Sequence, residues 1–466
     1  MIAQKPRTIG ELRASEYRVL SVKEEMRQNL INKLRKAESI FPNIIGYDES
    51  VIPQIENAIL AGHDMMFVGE RGQAKTRLIR SLITLLDEEV PILKGSFEIN
   101  DNPYAPVSKC RDIIREFEDD TEIAWIRRED RYGEKLATPD VSIADLIGEV
   151  DPIKVAEGRY LSDELTIHFG LIPRTNRGIF AINELPDLVE KVQVGLFNIM
   201  EEKDIQIKGY KIRLPLDICI VATANPEDYT NRGRIITPLK DRFQSQIRTH
   251  YPRTLQDEIM IMEQESKVSQ GDGYTVKVPK FIKQILAEIT FQARSSHEIN
   301  QRSGVSVRTT IANYETIIAN AEKRALRNGE REVSPRITDF PALIPSTSGK
   351  IELEYLGEDT KEENVIDNLI KRAVKIVFDS YFTSHDIFPD LLESFQHGYV
   401  EVSNTMPSDE YLNGLKEIKG LQKCIKALDI DNSSAQIASA VELVLEGLHL
   451  SNKLNKEVIN GKIIYK

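Results

Sequence analysis

Residues 69–76 read Gly69-Glu70-Arg71-Gly72-Gln73-Ala74-Lys75-Thr76. The apolar run Met65-Met66-Phe67-Val68 precedes them and reads as a buried strand. Leu78-Ile79, Leu82-Ile83 and Leu85-Leu86 follow at helical spacing. A glycine-bearing loop that ends in Lys-Thr between a strand and a helix is built to cradle phosphate. The loop and the helix N-terminus both offer unsatisfied backbone N–H groups to anionic oxygens. In this reading the whole loop, Gly69 to Thr76, binds nucleotide phosphates, with Lys75 reaching the β/γ-phosphates and the Thr76 hydroxyl ligating Mg²⁺. Ala74 stands where the motif carries its second glycine. That position opens the helix, so right-handed helical dihedrals, open to alanine, are expected there.

Two further segments end apolar runs in polar side chains, and two later arginines add to them. Gly178-Ile179-Phe180-Ala181-Ile182-Asn183-Glu184 reads as an apolar strand that ends in polar and acidic residues. Phosphate-loop ATPases usually close this strand with Asp-Glu, the Asp fixing Mg²⁺ through its water shell and the Glu polarising the attacking water. Here Glu184 is present, and Asn183 can hydrogen-bond to a metal-bound water but brings no charge. The alternative is that Glu184 caps a helix begun by Leu185-Pro186. Ile218-Cys219-Ile220-Val221-Ala222-Thr223-Ala224 leads to Asn225, which on a neighbouring strand would lie near the γ-phosphate and help position water. Cys219, in mid-strand, reads as core. Arg242, in Pro238-Leu239-Lys240-Asp241-Arg242-Phe243, can stabilise charge on a transferring phosphate, often across a subunit boundary; otherwise it pairs with Asp241 or another acid of its own chain. Arg308, at the start of a later helix, can couple domain closure to nucleotide state or simply be solvated.

The composition sets outer bounds. The 466 residues suggest two or three domains, and 41% hydrophobic with 29% charged residues is ordinary for a water-soluble globular chain. A net charge of -12 and a pI near 5.4 argue against nucleic acid as the main partner, since phosphate backbones select basic faces. Cys110, Cys219 and Cys424 are odd in number and far apart, which points to a reducing, cytoplasmic compartment. No secretory signal and no apolar run long enough to span a membrane is read. The seven histidines show no ligand spacing with Cys or carboxylates, leaving nucleotide-bound Mg²⁺ as the expected metal.

Along the chain, residues 1–41 read as an N-terminal helical extension, with a peripheral amphipathic helix near 22–40. Residues 42–250 alternate strands and helices, the signature of a parallel sheet covered by helices. Residues 251–345 read as a smaller helical domain, and 346–466 as a mostly helical C-terminal domain opened by Pro345-Ser346-Thr347-Ser348-Gly349. Val365-Ile366, Leu369-Ile370, Ala373-Val374 and Val377-Phe378 mark one strong amphipathic helix. Val441 to Leu450 is another, and Gly461 to Tyr465 reads as a final strand.

Taken together these segments resemble AAA+ ATPases of the MoxR and magnesium-chelatase subunit I branch. Gly69 to Thr76 is similar to that branch's phosphate loop, where MoxR proteins commonly carry Ala-Lys-Thr. Asn176-Arg177-Gly178-Ile179-Phe180 before Asn183-Glu184 is similar to the chelatase pattern. Leu146 to Asp151 and Phe169 to Arg174 resemble parts of the branch's insertion in helix 2. About 110 residues separate Lys75 from Glu184, long for a minimal core and consistent with such an insertion. The resemblance covers roughly 42–345. It implies an α/β P-loop AAA+ core, a parallel sheet flanked by helices, followed by a helical lid and the C-terminal domain.

The resemblance also implies roles. Asn225 is sensor 1, Arg242 the arginine finger, Arg308 the sensor 2 arginine, and Arg234 a second arginine acting across subunits. Ile44-Ile45-Gly46 border the adenine. Asp204 to Leu214, with Lys208-Gly209-Tyr210 at its centre, is the hairpin before sensor 1. The expected assembly is a homo-oligomeric ring, hexameric, with ATP at its interfaces, acting on a protein client and working with a von Willebrand factor A domain partner. Two rivals remain open: a nucleotide-gated scaffold in which Asn183 slows hydrolysis, and the motor subunit of a metal chelatase. The acidic balance counts against a third, a DNA-linked activator or helicase.

Overall fold

The computed structural model describes residues 5–466 apart from 96–98, 107, 151–166, 203, 207–212, 227–232, 269–272, 302, 355–360, 384–387, 397, 416–417, 419 and 460. The chain divides into two compact units, Met1–His250 and Tyr251–Lys466.

The first unit is organised by five parallel strands: β1 (Met65–Val68), β2 (Tyr132–Leu136), β3 (Gly178–Asn183), β4 (Ile218–Ala224) and β5 (Ser245–Arg248). Their order across the sheet is β5-β1-β4-β3-β2. The register pairs Val68 with Ala224, Ala222 with Ile182 and Asn183 with Leu136. Because every strand runs the same way, the carboxyl ends of β1, β3 and β4 open on one edge, where a crevice forms in open α/β sheets.

Alternation along each strand feeds two cores. Met65, Phe67, Ile179, Ala181, Cys219, Val221 and Ile247 face one side. Met66, Phe180, Ile182, Ile220 and Ala222 face the other. A sheet covered on both faces needs continuous apolar strands, which is what β1, β3 and β4 are.

Helix α1 (Val22–Arg35) was expected to be peripheral, but it is an integral layer. Its Val22, Met26 and Leu30 enter the core that holds Met65 and Phe67. Ser21 and Glu24 form a capping box at its start, and the Val22 amide donates to both oxygens of Asp217 at 3.1 and 3.0 Å. Buried Glu25 receives two hydrogen bonds from buried Arg131, at 2.8 and 2.6 Å. Removing one partner would leave an uncompensated interior charge, which costs about 3–5 kcal/mol. Helix α2 (Val51–Leu60) covers the same face, and α3 (Lys75–Ser81) leads away from β1.

Antiparallel pairs extend the chain between α3 and β4. Glu89–Leu93 pairs with Ile123–Arg127, and Gly148–Val150 with Ile167–Phe169. Asp204–Gln206 pairs with Arg213–Pro215. The centre of that hairpin, Lys208-Gly209-Tyr210, lies outside the described residues.

The second unit is mainly helical. Its long helices are α4 (Leu255–Glu265), α5 (Lys280–Ser295), α6 (Val307–Asn328), α7 (Glu362–Tyr381) and α8 (Ser434–Leu450). One core joins Met262, Phe281, Ile317, Phe378 and Leu445. Lys462–Tyr465 is the central strand of a small antiparallel sheet with Val400–Val402 and Lys456–Ile459.

Candidate active site

The site sits at the carboxyl ends of β1, β3 and β4. Val68 ends β1 and the loop 69–74 turns into α3, which begins at Lys75. The loop is held from behind. Gln73 is buried, and its Oε1 accepts from the Glu70 amide at 3.0 Å and from Thr249 Oγ1 at 2.7 Å. A Cβ on Gly69 would meet those same oxygens, at 2.0 Å from Thr249 Oγ1 and 2.3 Å from Gln73 Oε1. Only glycine lets β1 and β5 close on the loop at that point. Gly72 takes φ 76°, the left-handed region that glycine enters without cost.

Ala74 departs from expectation. It does not open the helix in right-handed form but sits at φ 56°, ψ 14°. The last residue of the loop must reverse its direction before α3 can begin, and this is a left-handed step. An alanine pays about 1–2 kcal/mol for it, where the motif's usual glycine would not.

Lys75 is buried and engaged. Its Nζ donates to the Gly69 carbonyl at 2.5 Å, the Glu70 carbonyl at 2.7 Å and Asn225 Oδ1 at 2.7 Å. Asn225 follows β4 directly and is buried. The lysine of one motif and the amide of another, 150 residues apart, thus meet within hydrogen-bond distance. Thr76 is half-buried in the first turn of α3, and Arg71 is exposed.

Ile44 lies in the core beside Phe41 and Tyr47. Gly46 follows with φ 79°. The single Tyr47 O–H is shared between the Gln73 carbonyl at 3.0 Å and the His250 carbonyl at 2.7 Å, which anchors the Ile44-Ile45-Gly46 segment to the phosphate loop. Burial pushes the Tyr47 phenol up to about 12, so it stays a donor at neutral pH. A cavity of about 350 Å³ borders the loop, walled by Gly69, Glu70, Gln73, Pro226, Lys240 and Arg248.

Glu184, just past β3, is half-buried at φ 57°, ψ 48°, a second left-handed residue that is not glycine. Its amide donates to Thr223 Oγ1 at 2.9 Å, so a hydroxyl on β4 holds the turn. It stands at the entry of a short 3₁₀ turn, Leu185–Asp187, without a side-chain cap hydrogen bond. Asn183 is buried, and its Nδ2 donates to Glu134 Oε1 at 2.5 Å. Glu134, on β2, also receives Arg80 at 2.8 and 2.9 Å and the Tyr132 hydroxyl at 3.0 Å. The Arg80 hydrogen bonds hold its carboxyl below the ordinary carboxylate value.

Arg242 and Arg234 are held by other elements of the first unit. Arg242 ends the short helix Thr237–Arg242. It pairs with Glu201, donates to the Pro238 carbonyl at 2.8 Å and lies 4.6 Å above the Phe197 ring. The acid that holds it is therefore Glu201 rather than Asp241. Arg234 is exposed, and its carbonyl accepts from Gln193 Nε2 at 3.0 Å. Arg308 belongs to the second unit, in the first turn of α6, where its amide donates to the Ser306 hydroxyl at 3.2 Å.

Reading the sequence missed Glu134 and Thr223. Tyr132–Leu136 is an edge strand of mixed polarity, with no apolar run to announce it. The one available hint was Asn183 itself, a strand end lacking the charge its position usually carries.

Among the described residues no helix is long and apolar enough to cross a membrane, and no cluster of His, Cys, Asp and Glu could hold a metal by itself. No family model matches the chain. It is 24% identical over 255 residues to the magnesium-chelatase subunit ChlI of Synechocystis sp., covering 52% of this chain and 65% of that protein. It is 23% identical over 351 residues to the chloroplastic magnesium-chelatase subunit ChlI of Nicotiana tabacum, covering 68% and 75%. The match thus spans just under two thirds of the Synechocystis protein. Among solved structures, the ATP complex of NtrX from Brucella abortus is 13% identical with a TM-score of 0.41, covering 77% of this chain and 67% of that one.

Proposed function

We propose that this chain, a P-loop AAA+ protein whose relatives include the magnesium-chelatase I subunits, is a Mg²⁺-dependent ATPase working as a ring-shaped motor. The observation that carries the reading is the meeting of Lys75 with Asn225 at 2.7 Å, on the strand edge where Glu184 also emerges. Three residues with complementary tasks in phosphoryl transfer share one edge of one sheet.

The backbone N–H groups of Gly69 to Thr76 receive the phosphates, and Lys75 exchanges its present oxygens for those of the β/γ-phosphates. Ile44, Ile45 and Gly46 border the base. Glu184 accepts the proton of the attacking water or orients it, and Asn225 holds that water in line. Charge on the transferring group is met from the neighbouring subunit by Arg242, released from Glu201, with Arg234 in support. Arg308 reports nucleotide state from the lid, residues 251–345.

Two features of the chain fit Mg²⁺. Thr76 places a hydroxyl in the first turn of α3, and Asn183 leaves Oδ1 buried without a hydrogen-bond partner among the described residues. These would hold the ion, Asn183 through a water, and the ion would supply positive charge against the phosphates.

The ring is a hexamer in the cytoplasm. It acts on a protein client together with a von Willebrand factor A domain partner. A second reading, a motor subunit of a metal chelatase, is favoured by the names of the relatives. A third, a nucleotide-gated scaffold, is favoured by the uncharged Asn183.

The test measures ATP binding and steady-state hydrolysis side by side. Lys75→Ala should lose binding. Glu184→Gln should keep binding and lose at least about 100-fold in turnover. Wild-type binding without turnover would leave the scaffold reading instead, and Glu184→Gln with full turnover would remove Glu184 from the mechanism.

A further inference from the structure

Asn183 is held in one orientation. Its Nδ2 lies 2.5 Å from Oε1 of Glu134. A carboxylate only accepts hydrogen bonds, so the amide NH₂ must face it and Oδ1 must face away. Oδ1 is buried and has no partner among the described residues, in a side chain whose residue is 9% exposed. An orphaned acceptor of this kind calls for an occupant.

Glu134 is itself fixed from the helix that carries the phosphate loop. Arg80 lies four residues after Thr76, on the same face of α3, and grips both carboxylate oxygens. A continuous relay therefore runs from α3 through Arg80 and Glu134 to the amide at the end of β3.

We propose that Glu134 supplies, at one remove, the negative charge that a strand-ending aspartate would carry at this Mg²⁺–nucleotide site. Its carboxylate fixes the amide flip of Asn183 and polarises it, so that Oδ1 becomes the acceptor for a metal-bound water. Glu134 acts through Asn183 and is a positioning residue, like the outer partners that orient metal ligands elsewhere. The proposal rests on the ATPase reading above.

The arrangement makes a specific demand on charge. Asn183→Asp alone sets two carboxylates against each other, where like charges repel. Asn183→Asp combined with Glu134→Gln restores one donor and one acceptor and exchanges which strand carries the charge.

The experiment uses the full chain as wild type, Glu134→Gln, Asn183→Asp and the double variant. ATP binding is titrated calorimetrically in EDTA and in saturating MgCl₂, with thermal melts of each protein. In the wild type Mg²⁺ should tighten ATP binding. Glu134→Gln should lose about tenfold of that enhancement while its affinity in EDTA is unchanged. Asn183→Asp should fall below wild type, and the double variant should recover the enhancement lost by either single change. An intact Mg²⁺ enhancement in Glu134→Gln would overturn the proposal. So would a double variant no better than Asn183→Asp, which also serves if Glu134→Gln fails to fold. Absence of ATP binding by the wild type in both buffers would instead sink the ATPase reading, and the proposal with it.

Discussion

Ala74 carries the phosphate loop through a left-handed step that its side chain resists. The strain is about 1–2 kcal/mol, whereas the added chain entropy of glycine in the unfolded state costs about 0.5–1 kcal/mol. The first term is larger, so Ala74→Gly should stabilise the protein by about 0.5–1 kcal/mol. Chemical denaturation of the two proteins checks this, and a destabilised glycine variant would show that the loop does not need the left-handed turn. The sequence offered Ala74 as a departure from the motif but could not say which way its backbone turns. That depends on where α3 begins, and helix starts are legible from sequence only to within a turn. Glu134 was illegible for a related reason. Its task comes from the parallel register of β2 with β3, which places Asn183 opposite Leu136, within reach of a side chain 49 residues earlier.

At the scale of the element, the strands that could be read were those that are buried. β1, β3 and β4 each lie between two neighbours and under two helix layers, so their sequences are almost entirely apolar. β2 has one neighbour and a half-exposed face, and Tyr132-Gly133-Glu134-Lys135-Leu136 shows neither alternation nor a run. The long amphipathic helices of the second unit were equally plain, because a period of 3.6 over five turns is hard to counterfeit. What they could not announce is how closely two of them approach. A Cβ on Gly447 of α8 would lie 2.1 Å from the Phe378 ring of α7. Helix propensity favours alanine over glycine by about 1 kcal/mol, but overpacking a close contact costs about 1–3 kcal/mol. Gly447→Ala should therefore lower the melting temperature. A raised one would mean that the two helices have room to part.

At the scale of the whole molecule, the second unit encloses an acid in the core-facing helix α8. Glu442 is fully buried on α8, where it accepts from the Thr338 amide at 2.7 Å, the Thr338 hydroxyl at 3.1 Å and Tyr411. Burial raises its pKa above the ordinary value of 4.5, against the opposing pull of Arg336. A raised acid contributes its full stability below the unfolded-state value and loses it as pH rises toward the folded one. Melting followed from about pH 5 to 8 should therefore show a decline with pH that is shallower in Glu442→Gln. Equal slopes in the two proteins would mean that Glu442 is ionised throughout. No sequence pattern marked this residue, since a glutamate inside an apolar helix reads as an exposed face until its neighbours are known.

The oxygens around Lys75 carry a consequence for affinity. The Gly69 and Glu70 carbonyls and Asn225 Oδ1 act as a tethered competitor, present at a fixed effective concentration and always in position. A phosphate must outbid them, so the observed binding constant is a difference between two sets of contacts rather than the strength of one. Deleting a member of that internal set then has effects of opposite sign. Asn225→Ala removes the group proposed to steady the attacking water, yet it also weakens the rival for the lysine, so poorer turnover would come with tighter capture.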